Sequence, residues 1–275
     1  MALRAAASLV VTAPRAALRG RAASQASAFD YGVLMVRRRS GGAFGSAWVF
    51  PGGVIEPADR LCPHPPSACA IRETFEETGL LLTDAPVLSA GRLDPQRLQE
   101  AAQRSPLLGT QPLARWVTPR AQRKRFDTCF LLLNLTDQLL LDRLHAEQLQ
   151  TSEVVELDWF APDQLLLANR MLPLYPPQLH LLFQLARFSK QSELCEAGRL
   201  GGCWDAVEPV LACRDDGKVV ALLPGDYAYS LAQPQVPQQH LYRDKPGPLH
   251  RLEMTPAAGG FLDAQLFQSN LSSRL

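Results

Sequence analysis

Residues 50–80, FPGGVIEPADRLCPHPPSACAIRETFEETGL, set the strongest condition on any fold this chain can adopt. Two glycines follow a β-prone run, a proline-rich loop intervenes, and a helix begins near Ser67, a residue suited to an N-cap, and stops at Gly79. The acids of this helix stand in an unfavourable place. Glu73, Glu76 and Glu77 fall in its last turns, where open carbonyls carry partial negative charge and carboxylates are disfavoured. At i, i+3 and i+4 they share one face and repel one another. Ala68, Ile71, Phe75 and Thr78 recur at intervals of 3, 4 and 3 and form the face that suits the core. Arg72 lies four residues before Glu76 and can pair with it, but one guanidinium does not neutralise three carboxylates. A hard divalent cation removes the conflict, because Mg²⁺ takes a few carboxylates, keeps waters and completes its shell with phosphate oxygens. Gly52 and Gly53 let the preceding loop come close and present a backbone carbonyl to the same ion.

The rest of the composition narrows the function. Lys plus Arg number 28 against 27 Asp plus Glu, a balance that gives no support for a general nucleic-acid binder. No uncharged apolar run approaches the length of a membrane span. The six cysteines (62, 69, 129, 195, 203, 213) form no CxxC pair and no Cys/His zinc spacing, and read as reduced core thiols of an intracellular protein. The five histidines are scattered without ligand spacing.

Along the chain, strands are predicted at 31–39, 46–50, 115–118, 127–135 and 154–160, with a polar helical segment at 92–104. Beyond 165 the pattern gives a linker at 171–178, a helix at 178–190 and a hairpin at 209–226 turning at Asp216-Gly217. An irregular tail follows from 230, with a short amphipathic helix at LDAQLFQ (262–268). Strands interleaved with few helices predict a mixed α/β sandwich. Its division is a first unit, 1–165, with a helical insertion at about 92–113, and a C-terminal extension, 166–275. The ends carry conflicting addresses. The stretch before Asp30 is rich in Arg, Ala and Ser, as a mitochondrial presequence is, yet Ser8–Val11 reads equally as a first strand. Ser273-Arg274-Leu275 is a conservative variant of the Ser-Lys-Leu address read by the peroxisomal import receptor. The peroxisome is therefore taken ahead of the mitochondrion.

The segment from Gly53 to Leu80 resembles the nudix box. Gly53 stands for its first glycine, Arg72-Glu73 for its Arg-Glu pair, Glu76-Glu77 for its double glutamate and Gly79-Leu80 for its end. Asp59 takes the place of the first glutamate, twelve residues rather than seven separate it from Arg72, and Thr74 replaces an aliphatic residue. An insertion at this place, with RRSGGAFGSAWVFPGG before the box and WVTPRAQRKRFDTCFLL and LLPGDYAY after it, resembles the motif 19 branch of nudix enzymes, the peroxisomal acyl-coenzyme A diphosphatases.

That resemblance implies a nudix-type α/β/α sandwich and Mg²⁺-dependent hydrolysis (Mn²⁺ substituting) of coenzyme A and acyl-CoA to 3′,5′-ADP and 4′-phosphopantetheine. Glu76 and Glu77 would be metal ligands, and Glu73 a ligand or the base that orients water. Gly53 would lend its carbonyl and Arg72 would hold the glutamates. Glu153, or alternatively Glu156, would complete the site from a later loop. Arg39-Ser40 and Phe50–Gly53 match the two ends of a coenzyme A signature whose middle arginine is absent. Phosphate recognition beyond the metal would come from Arg39, from Gly52 and Gly53, and from the basic turn 120–125, of which Arg125 borders the strand. Arg37 and Arg39 lie on one side of their strand and Arg38 on the other; either side could face the cleft. The alternatives are another nucleoside diphosphate derivative (ADP-ribose, a nucleotide sugar, capped RNA) or a nucleotide-binding domain without catalysis.

Overall fold

The computed structural model describes residues 2–19, 21–40, 45–80, 82, 87–88, 92–94, 96, 100, 109–120, 122–136, 154–199, 205–229, 241–242 and 247–268. In chain order these form β1 (Arg4–Pro14), α1 (Arg21–Ser24), β2 (Tyr31–Arg38), β3 (Trp48–Val49), β4 (Gly52–Val54) and α2 (Pro65–Thr78). Then come β5 (Val87–Leu88), β6 (Arg92–Leu93), β7 (Gln111–Val117), β8 (Phe126–Asn134) and β9 (Val154–Phe160). Three helices follow: α3 (Pro162–Ala168), α4 (Pro176–Leu185) and α5 (Gln191–Arg199). The chain continues with β10 (Ala206–Val207), β11 (Val210–Arg214), β12 (Val219–Leu222), β13 (Leu241–Tyr242), β14 (His250–Ala257) and β15 (Gly260–Gln268).

β1 organises the main sheet. It runs parallel to β8 from Arg4↔Phe126 to Thr12↔Asn134, and its other edge is shared by β4 at Ala6–Ser8 and β2 at Thr12–Pro14. The order β10-β7-β8-β1-β2-β3, with β4 on β1 and β9 on β2, is a mixed sheet. Ser8–Val11 is thus the middle of a buried strand. One face of the sheet (Ala7, Leu9, Val11, Leu131, Leu133) packs on Ile71 and Phe75 of α2. The opposite face (Val10, Phe130, Leu132) packs on Leu181 and Leu182 of α4 and on Leu223 and Leu252 from a second sheet. The result is an α/β architecture.

The second sheet has the order β13-β11-β12-β14-β15. Its residues share the core of the first, and β10 pairs in parallel with β7, so the chain after 165 completes the first unit rather than hanging from it. The division at 165 falls inside α3. Three other expectations are corrected. LDAQLFQ lies in strand β15, because Asp263 and Gln265 face solvent while Leu262, Ala264 and Leu266 alternate inward with period two. The supposed linker holds Leu174, fully buried and bridged to Phe261. Within the expected helical insertion, Arg92–Leu93 and Gln111 onward are strands, and most of the residues between lie outside the described set.

LLPGDYAY is a buried staple. Asp226 accepts from Arg251 Nε (2.7 Å) and Nη2 (2.9 Å) and from the backbone N–H groups of Ala228 (2.9 Å) and His250 (2.9 Å), tying the turn after β12 to β14. Both ionic side chains are sealed from solvent, and Arg251 also lies over the Tyr227 ring at 5.1 Å. Asp226→Ala would strand a buried guanidinium and two N–H groups, so a loss of about 3–5 kcal/mol is expected in urea unfolding. A midpoint close to the parent's would refute this role.

Candidate active site

β4 and α2 meet at the Pro51-Gly52-Gly53 turn. Ser8 Oγ donates to the carbonyls of Pro51 (2.8 Å) and Phe50 (3.2 Å) and fastens the turn to β1. A side chain at Gly52 would collide with the backbone of Ala7 and Ser8, and one at Gly53 would fall on the Glu73 carboxylate. The glycines therefore bring the loop against the acidic face of α2. Gly53's carbonyl sits over the same turn, where it receives the Cys69 thiol at 3.7 Å.

α2 ends as its sequence requires. Gly79 adopts φ 74° and donates to Phe75 O at 2.7 Å, a left-handed C-cap natural to glycine. Thr74 is accommodated in the core because its hydroxyl bonds Ala70 O at 2.7 Å. The helix starts at Pro65, two residues before the expected N-cap; Ser67 instead hydrogen-bonds Thr110 at 2.9 Å.

Arg72 and Arg38 hold the carboxylates. Arg72 forms a fork with Asp59 (Nε–Oδ1 3.0 Å, Nη2–Oδ2 2.9 Å) and reaches Glu73 Oε1 at 3.1 Å, Glu76 Oε2 at 3.0 Å and Val54 O at 3.2 Å. Asp59, which stands at the place of the first glutamate in the nudix-box resemblance, is thus the partner of Arg72. Burial works against the Arg72 charge, but the Asp59 hydrogen bonds and the Glu73 and Asp59 charges outweigh it and hold the group above its usual pKa. Glu73 is raised above the ordinary carboxylate range, mainly by burial; Arg72 opposes the shift and Glu76 adds to it. Glu77 is 3% exposed and accepts from Arg38 Nη2 at 2.7 Å and from the Gly52 N–H at 3.1 Å, while the same Arg38 nitrogen donates to Gly52 O at 2.6 Å.

Within this cluster Asp59, Glu73, Glu76 and Glu77 face Arg38 and Arg72, four acids against two bases when all are ionised, an excess of two negative charges. The all-oxygen donor set and the glycine cradle fit a hard divalent cation. Among the described residues no three His, Cys, Asp or Glu side chains converge on one point. The reason is geometric: Arg72 gathers Glu73 and Glu76 while Arg38 draws Glu77 toward β4.

Other expected residues are placed elsewhere. Glu153 lies outside the described residues. Glu156 pairs with Arg37 (3.0 Å) and Arg21 (3.2 Å), and Arg37 neighbours the Arg38 that turns toward Glu77. Glu156 is therefore not brought to the acidic cluster. Arg125 donates to Thr118 O (2.9 Å) and Glu208 (2.7 Å), so its fork is already engaged by the protein. Arg39 is exposed just past β2. The sequence left open which arginine of 37–39 faces the site; Arg38 does, and only the pairing of β2 with β3 and β9 decides it.

Comparison with known proteins gives the family. The NUDIX domain model matches residues 19–182. The chain belongs to the NUDIX family. It is 30% identical to "Putative nudix hydrolase 7" of Caenorhabditis elegans, over 80% of this chain and 79% of that protein. It is also 30% identical to "Acyl-coenzyme A diphosphatase NUDT19" of Gallus gallus, over 73% of each. The crystal structure of a NUDIX hydrolase from Alicyclobacillus acidocaldarius superposes with a TM-score of 0.52 at 24% identity, covering 71% of this chain and 96% of that one, and shows the shared fold. The protein is a nudix hydrolase, an enzyme of pyrophosphate linkages, and members of the family generally work with divalent cations such as Mg²⁺.

Because a methyl group at Gly53 would displace the Glu73 carboxylate, Gly53→Ala is expected to lower kcat about a hundredfold at saturating Mg²⁺. The melting temperature should stay near the parent's. Parent-like turnover would remove Gly53 from the site.

Proposed function

We propose that this nudix hydrolase is a coenzyme A and acyl-CoA diphosphatase. The observation that carries the reading is the 30% identity to an acyl-coenzyme A diphosphatase across 73% of both chains, together with an acidic cluster that retains all three box glutamates. In this reading Glu73, Glu76 and Glu77, with the Gly53 carbonyl, hold Mg²⁺, and Mn²⁺ substitutes for it. The bound cation supplies Lewis-acid polarisation of the diphosphate and acidifies a water.

The chain's own groups do the rest. Arg72, locked by Asp59, fixes the directions of Glu73 and Glu76. Glu73 is either a ligand of that cation or, where it stands off the ion, the base that orients the water and takes its proton. The water oxygen bonds to phosphorus as the bridging P–O bond breaks, leaving 3′,5′-ADP and (acyl-)4′-phosphopantetheine. Arg38, on the cleft side of β2, and the exposed Arg39, just past the strand, offer guanidinium forks to phosphate oxygens, and Gly52 and Gly53 keep the approach to the metal open. Glu153, directly before β9 in the sequence, supplies a further carboxylate, and Arg125 contributes charge after release from Glu208.

Mass spectrometry of products from a panel of coenzyme A, acyl-CoA, ADP-ribose, nucleotide sugars and capped RNA tests the substrate. Release of 3′,5′-ADP from the CoA compounds is expected at the highest kcat/KM, and Glu77→Gln should lose nearly all of it. Equal or faster cleavage of the other compounds would overturn the substrate assignment, and a fully active Glu77→Gln would overturn the metal assignment.

The acyl-CoA reading places the enzyme in the peroxisome, delivered by the import receptor through Ser273, Arg274 and Leu275. A fluorescent protein fused ahead of the full chain should show punctate peroxisomal signal that disperses when these three residues are removed. Unchanged puncta, or a mitochondrial pattern, would refute the address.

A further inference from the structure

Beside α2 the main sheet is open to solvent on the helix's own face. Leu131 and Leu133 of β8 are sealed beneath the helix, 2% and 4% exposed. Cys129 and Asp127 come next on the same face of that strand and are only half-buried, as is Ala5 beside them on β1. β8 lies between β7 and β1, so this opening is not a sheet edge. Arg115 of β7 borders it with its side chain 41% exposed.

Strand register sets the opening in line with the acidic cluster. Gly53 pairs with Ala7, Ala7 with Cys129 and Cys129 with Arg115. Residues paired across strands point to one face. That face is the cluster's, because a side chain at Gly53 would fall on the Glu73 carboxylate and Ala7 packs beneath α2. From Gly53 to Arg115 is three strand spacings, about 14 Å. The floor between them is an alanine methyl and a thiol. Burial, and then the Asp127 charge, push the Cys129 thiol above its usual pKa against the pull of Arg115, so the floor carries no charge.

At the far end Arg115 forks onto Asp127, with Nε to Oδ1 at 2.8 Å and Nη2 to Oδ2 at 2.6 Å. The hairpin that presents them is braced. Arg125 Nε donates to Thr118 O at 2.9 Å, and the Phe126 N–H donates to Thr118 Oγ1 at 3.0 Å. The fork leaves Nη1 and one Nη2 hydrogen to donate, and the carboxylate oxygens keep lone pairs to accept. A donor therefore stands beside an acceptor in a pair of no net charge. A phosphate placed there would meet the Asp127 carboxylate as a like charge. Adenine offers the complementary pattern, an N6 amine that donates next to an N7 that accepts. A base with O6 in place of the amine would set oxygen against the carboxylate.

We propose that the Arg115–Asp127 pair is the subsite for the adenine base of the substrate, Asp127 accepting from N6 and Arg115 donating to N7 while the diphosphate lies at the acidic cluster. The proposal rests on the coenzyme A reading, in which the base is adenine. It makes the two residues specificity-determining and leaves the reacting atoms to the cluster.

The test compares adenosine 5′-monophosphate with inosine 5′-monophosphate, which share ribose and phosphate, hold no anhydride to cleave and differ in the base, where O6 replaces the N6 amine. Equilibrium dialysis against the full chain with Mg²⁺ should find the adenosine compound bound about tenfold more tightly, the worth of one well-matched base contact. In Asp127→Asn, whose amide can turn to donate to O6, the preference should vanish or reverse. A loss of folded protein would weaken both ligands without moving their ratio. Arg115→Met should weaken both about equally, because N7 is common to the two bases. Equal affinities in the parent overturn the subsite, as do a preference that survives Asp127→Asn and unchanged binding in Arg115→Met. A preference that depends on Asp127 in a protein that leaves coenzyme A intact supports the subsite while sinking the diphosphatase reading. Cleavage of coenzyme A without any such preference overturns the subsite alone.

Discussion

The site depends on one guanidinium. Arg72 has five N–H groups, and the structure uses them on Asp59, Glu73, Glu76 and the Val54 carbonyl. Lysine has three donors and no planar fork, so it could not grip Asp59 in two places and still reach two glutamates. The fork fixes the loop before α2 to the helix, and the remaining bonds set the direction of the acids along it. Arg38 does the same for Glu77 from a different strand, tying β2, β4 and α2 together at one point. The cluster still carries more acid than base. A protein tolerates that excess where a cation is to be held, and the all-oxygen donors suit a hard one.

The rest of the chain gives this arrangement a rigid frame. β1 lies at the centre of the main sheet and is covered on both faces, by α2 on one side and by α4 with the second sheet on the other. The far sheet is stapled by a buried ion pair, Asp226 with Arg251, whose remaining acceptors are filled by backbone N–H groups. Such a pair adds little net stability compared with an apolar substitute, but it is costly to break from one side. The turn after β12 is thereby held against β14.

Much of this was legible in the chain itself. The spacing of Ala68, Ile71, Phe75 and Thr78 found the buried face of α2, and Gly79 found its end, because helical period and a left-handed cap are local properties. β9 was bounded to the residue from VVELDWF. What stayed hidden depends on contacts distant in sequence. Arg37, Arg38 and Arg39 are identical in type, and only the pairing of β2 with its neighbours turns one of them to Glu77. LDAQLFQ fits a helix or a strand at that length, and β14 beside it decides. Arg115 and Asp127 meet only through the register of β7 on β8, and no spacing in the sequence joins them.

The lengthened spacer between Asp59 and Arg72 follows the same logic. Extending a flexible loop from seven to twelve residues adds only about 0.5 kcal/mol of closure entropy by the logarithmic rule. That is less than a charge-assisted hydrogen bond contributes, about 1.5–3 kcal/mol. Asp59 sits in a short 3₁₀ turn, fully buried, and accepts the Glu56 N–H at 2.8 Å as well as the Arg72 fork. The insertion therefore begins after the partner residue is already anchored, and Cys62 to His64 link the end of the 3₁₀ turn to Pro65, where the helix starts. The shorter acid at this position reaches Arg72 with both carboxylate oxygens from that turn, so the ion pair forms across the longer spacing.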